Sequence, residues 1–177
     1  MRIIAGALGG RQFTSPHAER THPMSERVRG GLFNALGDID GLTVLDAFAG
    51  SGALSFEAIS RGASSALAID NDKRAQNAIE RSIKELQLAK QVKLIRANCS
   101  SWSEQNPDQQ FDLVIAAPPY DNLQPAAVTK LARHTRPGGL YVLDWPGKLD
   151  PPELEGHQML NQKSYGDAQL VFYRRIS

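Results

Sequence analysis

The sequence predicts an α/β fold: a mostly parallel, doubly wound sheet with helices on its faces. Three observations lead to it. From residue 43 to residue 145, short apolar runs alternate with segments of helical period, the pattern of parallel strands joined by crossover helices. The first two runs end in carboxylates, Asp46 and Asp70, and the first opens into a loop of small residues, where open α/β sheets bind ligands. Two final runs, 159–163 and 169–174, flank the turn signal Tyr165-Gly166-Asp167 and read as an antiparallel hairpin at one edge.

A small extension precedes the alternation. Residues 2–13 read as two short strands around Gly9-Gly10, a hairpin, followed by a loop with Pro16 and Pro23. Ser25 is the N-cap of a helix reaching Leu36; Val28, Leu32 and Leu36 recur every four residues, and Gly37 stops it. Gly30 and Gly31 lower that helix's intrinsic propensity. The core then reads strand 43–46, loop 47–52, helix 53–61 closed by Gly62, strand 66–70 and helix 73–90, with Ile79, Ile83 and Leu86 on one face. Strands 92–96 and 111–116 follow, then Pro118-Pro119-Tyr120, helix 125–134, and a turn at 136–139 leading into strand 140–145. Pro146, Pro151 and Pro152 mark the loop before the hairpin. With neither repeats nor low-complexity tracts, residues 1–177 read as one domain, an extension at 1–41 on a core at 42–177.

The composition agrees. A chain of 177 residues with 41% apolar content suits a single core. No run approaches the roughly 18 apolar residues of a membrane span, and the glycine-interrupted N-terminus does not read as a signal peptide. A soluble, cytoplasmic protein is expected. The single cysteine, Cys99, excludes an internal disulfide, and His17, His22, His134 and His157 show no metal-ligand spacing, so no metal is expected. Residues 1–30 hold five arginines against two glutamates, a local +3 in a chain of net +1. Such an arm suits a phosphate-bearing partner, and equally an ordinary solvated surface.

The loop Asp46-Ala47-Phe48-Ala49-Gly50-Ser51-Gly52 carries the first functional signal. Gly50 and Gly52 let the backbone approach a ligand closely. A lone G-x-G also fits a tight strand-to-helix turn with no ligand. Asp46 is positioned to act on a cationic ligand, Asp70 to accept from ribose hydroxyls, and Asn98, just past the third strand, to bond an adenine edge. A nicotinamide dinucleotide is the rival ligand, but Ser55 stands where its fingerprint needs Gly or Ala. A nucleoside ligand without a pyrophosphate is favoured.

These residues resemble the class I methyltransferase motifs. The whole length resembles the RsmD family, bacterial enzymes that methylate a guanine amino group of 16S ribosomal RNA. Four segments carry the resemblance: Arg2-Ile3-Ile4-Ala5-Gly6 with Gly10-Arg11, Arg27-Val28-Arg29 with Leu32-Phe33-Asn34-Ala35-Leu36, the run from Leu45 to Leu54, and Pro118-Pro119-Tyr120. The resemblance implies a Rossmann-like seven-stranded sheet with one antiparallel strand near its edge. It implies S-adenosylmethionine as methyl donor, leaving as S-adenosylhomocysteine, with Asp46, Phe48, Ala49, Gly50, Ser51, Gly52, Asp70, Asn71, Asn98 and Cys99 around it. It implies Arg2, Arg11, Arg27 and Arg29 as phosphate contacts, and 16S rRNA or the small ribosomal subunit as partner. Nothing demands more than a monomer.

The catalytic loop implied by the resemblance is Ala117-Pro118-Pro119-Tyr120. Amino methyltransferases of this kind read Asp or Asn before the prolines. The exocyclic amine of guanine is a poor nucleophile, and hydrogen bonds from its N–H groups to a side-chain oxygen and a backbone carbonyl aim its nitrogen at the methyl group. The prolines fix φ, and the aromatic ring stacks on the extruded base. Here the acceptor position is Ala117. Three readings follow: the carbonyl and Tyr120 suffice, a nearby carboxylate such as Asp121 substitutes, or methyl transfer is lost and the chain only binds cofactor or RNA. Pro-Pro-Tyr by itself also fits a rigid turn. A methyltransferase for another substrate, such as DNA, is a third class of function. Cys99 reads chiefly as a small buried hydrophobe, Tyr165 as a turn residue, and His22 stands where the family often has arginine.

Overall fold

The computed structural model describes residues 1–16 and 24–177. His17, His22 and Pro23 lie outside the described residues. The elements are α1 (Glu26–Leu36), β1 (Thr43–Ala47), α2 (Ala53–Ser60), β2 (Ser65–Asp70), α3 (Lys73–Glu85), β3 (Val92–Arg96), α4 (Cys99–Gln105), β4 (Phe111–Ala116), α5 (Pro125–Leu131), β5 (Thr135–Pro146), β6 (His157–Tyr165) and β7 (Ala168–Arg175).

The strands form one sheet of seven in the order β3-β2-β1-β4-β5-β7-β6. β1 to β5 pair in parallel, and β7 runs antiparallel to both β5 and β6. This is the expected architecture, with the late hairpin at one edge. Alternate residues of the central strands separate two cores. Val44, Ala66, Leu113, Ile115 and Val142 pack under α1, α2 and α3, whereas Leu45, Val114, Ala116, Tyr141 and Leu143 pack under α4 and α5.

Sequence signals set most element ends. Ser25 caps α1 by accepting from the Val28 amide at 3.2 Å, and Gly37 ends it at φ 71. Gly31 lets Tyr165 lie against α1: a Cβ there would fall 2.2 Å from the Tyr165 hydroxyl, so the tyrosine would have to swing aside. Four expectations change. The N-terminal hairpin is a turn closed by a single bridge, Arg2 to Gln12, because Ile4 and Ala5 donate their amides to the Glu57 carboxylate instead of to a partner strand. α3 stops at Glu85 and not at 90: Gln87 turns to φ 57, and the Leu88 and Gln87 amides bond back to the Ile83 and Lys84 carbonyls, a Schellman cap. α4 has no counterpart in the sequence pattern. The turn at 136–139 is an irregularity within β5, which pairs with β4 from Thr135 onward. No described helix is long and apolar enough to cross a membrane.

Candidate active site

The glycine loop leaves the C-terminal end of β1 and turns directly into α2. Ala49 donates to the Ile69 carbonyl at 2.9 Å, and Gly50 donates to Asp70 Oδ2 at 2.8 Å, so the end of β2 ties the loop down. Phe48 sits at φ 61, a conformation costly for a non-glycine residue and concentrated at functional sites. Gly52 has φ 80, and a Cβ there would come within 2.9 Å of the Phe56 ring. Gly52→Ala is therefore expected to lower stability by roughly 1–3 kcal/mol, read as a lower midpoint in thermal unfolding. A midpoint equal to that of the unaltered protein would show that the loop tolerates a side chain.

Asp46 is fully buried beneath this loop. Its Oδ2 accepts from the Ser55 hydroxyl at 2.7 Å and from the Ser55 amide at 3.1 Å, capping the first turn of α2 from outside the helix. Its Oδ1 has no hydrogen-bond partner among the described residues. Burial pushes its carboxyl up to about 7, against the two Ser55 bonds that pull it down, and nearby Asp70 adds to the rise. A buried acceptor left open is costly unless something meets it. Its position beside a loop that admits close backbone approach fits a cationic group of a ligand.

Asp70 is half-buried, and its two oxygens accept from Gly50 and Asp72 at 2.8 Å each. Burial is the main cause of its raised pKa. Each oxygen keeps a second lone pair, so ribose hydroxyls can still donate to it. Asn98 has a duty the sequence does not disclose. Its side-chain oxygen caps α4 by accepting from Ser100 and Ser101, which leaves only its NH₂ group for a base. Cys99 is buried, and burial raises its thiol to about 12, so it lines the site as an inert wall. Phe48, Asp70, Asn71, Asn98, Cys99 and Gln124 enclose a recess of about 20 Å³, room for about one water. A larger open groove of about 720 Å³ lies along β3, but no residue of the glycine loop lines it and it offers no arrangement of glycine and carboxylate.

The Pro118-Pro119-Tyr120 loop emerges beside the glycine loop. Ala47 pairs with Ala116, and the Ala117 amide points at the Ala47 carbonyl 3.5 Å away. Pro118 is buried, Pro119 is exposed, and Tyr120 is 43% exposed. The Tyr120 hydroxyl donates to Asp144 Oδ1 at 2.5 Å, with the Trp145 carbonyl 3.1 Å away. Asp121, the carboxylate nearest in sequence, is exposed and bonds to no described residue. Sequence reasoning misses Asp144, since nothing in the chain links it to residue 120.

Of the four arginines, three reach solvent. Arg2 pairs with Glu26 at 3.0 Å, Arg11 donates to the Glu85 carbonyl, and Arg27 lies 5.8 Å from the Tyr165 ring centre. Arg29 is a correction: at 1% exposure it offers nothing to a phosphate. It lies beside buried Glu57 at 3.5 Å and donates to the Arg2 carbonyl, so it fastens the N-terminal segment.

Residues 1–174 match the family described as Conserved hypothetical protein 95. The Ribosomal RNA small subunit methyltransferase D of Haemophilus influenzae is 32% identical over 182 residues, spanning 98% of this chain and 92% of that protein. The solved Escherichia coli structure described as "Putative methyltransferase yhhF" superposes with a TM-score of 0.87 at 26% identity, covering 100% of this chain and 98% of that one. A hypothetical protein of Thermus thermophilus superposes with a TM-score of 0.83 at 26% identity, covering 97% of this chain and 98% of that one.

Proposed function

Because the chain belongs to the family of Conserved hypothetical protein 95, the RsmD family of rRNA small subunit methyltransferases, we propose that it methylates the exocyclic amine of a guanine in 16S rRNA, using S-adenosylmethionine. The observation that carries the cofactor reading is the open, buried Oδ1 of Asp46 beneath the glycine loop. When bound, S-adenosylmethionine supplies a methyl group on a sulfonium, which the amine lone pair takes while the carbon–sulfur pair returns to sulfur.

The chain's own residues do the positioning. Asp46 meets the cationic end of the cofactor, Asp70 accepts from its ribose, and the Asn98 NH₂ group and Phe48 border its base. Pro118 and Pro119 hold the loop rigid, and the Ala117 carbonyl accepts from the amine. The half-exposed Tyr120 ring is a stacking surface for an extruded base. Arg2, Arg11 and Arg27 hold phosphates, an affinity that weakens as salt rises. The place of action is the cytoplasm, where small subunits assemble, and the protein acts as a monomer without a metal.

The test is transfer of a labelled methyl group from S-adenosylmethionine to unmethylated small ribosomal subunits, by the unaltered protein and by Ala117→Asp. Incorporation by the unaltered protein is the expected result. Incorporation by Ala117→Asp alone would favour a second reading, raised by the missing side-chain acceptor, in which the chain binds but does not turn over. Silence from both, with cofactor still bound, would rule out this substrate.

A further inference from the structure

A carboxylate stands one strand away from the missing acceptor. β4 and β5 run parallel with Ala116 opposite Leu143, so Ala117 and Asp144 are the next residues along the two strands. Neighbouring parallel strands lie about 5 Å apart, and residues in register point to the same face. The packing agrees: Ile115 and Val142, two positions back on each strand, share one buried cluster, and Ala117 packs against it. Asp144 is itself half-buried, and its Oδ1 is engaged by the Tyr120 hydroxyl. Its Oδ2 bonds to no described residue and is not among the sealed, unpartnered atoms of the interior. One oxygen thus fixes the aromatic residue while the other stays open beside the loop.

We propose that Asp144 is the acceptor of this site, its Oδ2 taking a hydrogen bond from the substrate amine and then the proton that the methylated nitrogen must lose. The proposal rests on the methyl-transfer reading above. As the nitrogen–carbon bond forms and the carbon–sulfur bond breaks, the electron pair passes to sulfur and the nitrogen holds one proton in excess. Asp144 receives that proton and releases it to water. The nitrogen ends as a neutral secondary amine and the sulfur as a thioether, so charge and atoms balance. Burial raises the Asp144 carboxyl to about 6, and the Tyr120 bond opposes that rise. The group is therefore ionised at neutral pH yet more basic than a solvated carboxylate. Asp167, in the turn between β6 and β7, acts on the same Tyr120 hydroxyl.

The experiment uses the full chain and unmethylated small subunits, with methyl transfer, binding of S-adenosylmethionine and thermal unfolding followed together. Asp144→Ala is expected to lower kcat about 10²–10³-fold, as losing one preorganised polar contact does elsewhere, with cofactor affinity held within threefold. Asp144→Asn keeps an acceptor but not a base, so it keeps part of the rate; with S-adenosylmethionine saturating at every pH, so that the titration of Asp46 in the free protein does not enter, its kcat no longer falls below about pH 6. Adding Ala117→Asp to Asp144→Ala should restore at least tenfold. A kcat for Asp144→Ala within threefold of the unaltered protein would overturn the proposal, as would an unchanged pH profile in Asp144→Asn. Where Asp144→Ala does not fold, the near-isosteric Asp144→Asn decides on the pH profile alone. An unaltered protein that binds cofactor but methylates nothing would sink the methyl-transfer reading itself, a result separate from an active enzyme indifferent to residue 144.

Discussion

Glu57→Ala is expected to destabilise the protein by about 3–5 kcal/mol, enough to lower the unfolding midpoint by roughly 6–20 °C. Glu57 is fully buried. Its Oε1 accepts from the Ile4 amide at 2.9 Å, and its Oε2 accepts from the Ala5 amide at 3.1 Å and from Arg61 Nε at 2.8 Å. Arg29 lies alongside, equally buried, with Nε and one terminal nitrogen lacking any hydrogen-bond partner among the described residues. Desolvation lowers the Arg29 pKa, and the Glu57 charge is the chief influence opposing that shift. Alanine at 57 strands this guanidinium in the interior and unties the two amides, so the segment carrying Arg2 and Arg11 loses its anchor. Replacing Glu57 and Arg29 together by methionine should cost less than Glu57→Ala, because the buried Arg29 charge leaves with its partner, while the more exposed Arg61 and the Ile4 and Ala5 amides lose theirs in both variants. Chemical denaturation with circular dichroism gives both numbers. A cost for Glu57→Ala below about 1 kcal/mol, the size of an ordinary substitution, would show that Glu57 is dispensable.

Asp46→Asn is expected to weaken S-adenosylmethionine binding at least tenfold while making the ligand-free protein more stable at pH 8. The sign follows from the raised pKa. The usual carboxylate value is 3.8, and burial lifts Asp46 to about 7. Between these values the unfolded chain has lost the proton and the folded chain keeps it, so stability falls as pH rises. The contribution of Asp46 is complete below about pH 4 and gone above about pH 7. Its full size is on the order of 4 kcal/mol, because every tenfold difference in proton affinity between the two states is worth about 1.4 kcal/mol. A cationic ligand reverses the penalty by pairing with the ionised form. Asparagine cannot titrate, so the decline between pH 5 and pH 8 should flatten. Thermal unfolding across that range, with calorimetry for the ligand, tests both parts. Unchanged affinity in Asp46→Asn would move the cationic end of the cofactor elsewhere.

Short runs rich in β-branched and other apolar residues are legible to the residue: β3 and β4 occupy 92–96 and 111–116, as the sequence indicates. α4 is not, because CSSWSEQ has no apolar period and its start depends on Asn98, a residue whose amide suggests a ligand contact. The end of α3 escapes the sequence because a glutamine at φ 57 closes it where glycine usually does. The glycine loop and its two carboxylates stand out because they follow strand ends. Arg29 looks like its neighbours Arg2 and Arg27, since residue type does not reveal burial. Glu57 and Asp144 are silent for a related reason. Their partners lie 52–53 and 24 positions away, and only the folded sheet brings them together.

The place of β7 in the sheet bears on how the chain is built in the cell. A ribosome makes β7 after β5 and β6, yet β7 lies between them and pairs with both. Until it emerges, β5 presents an open edge and β6 has no neighbour, so the nascent chain can assemble β1 to β5 but cannot seal them. Cutting away residues 168–175 would thus remove an interior plank and not a trailing end, and the shortened product is expected to collect as insoluble aggregate on expression.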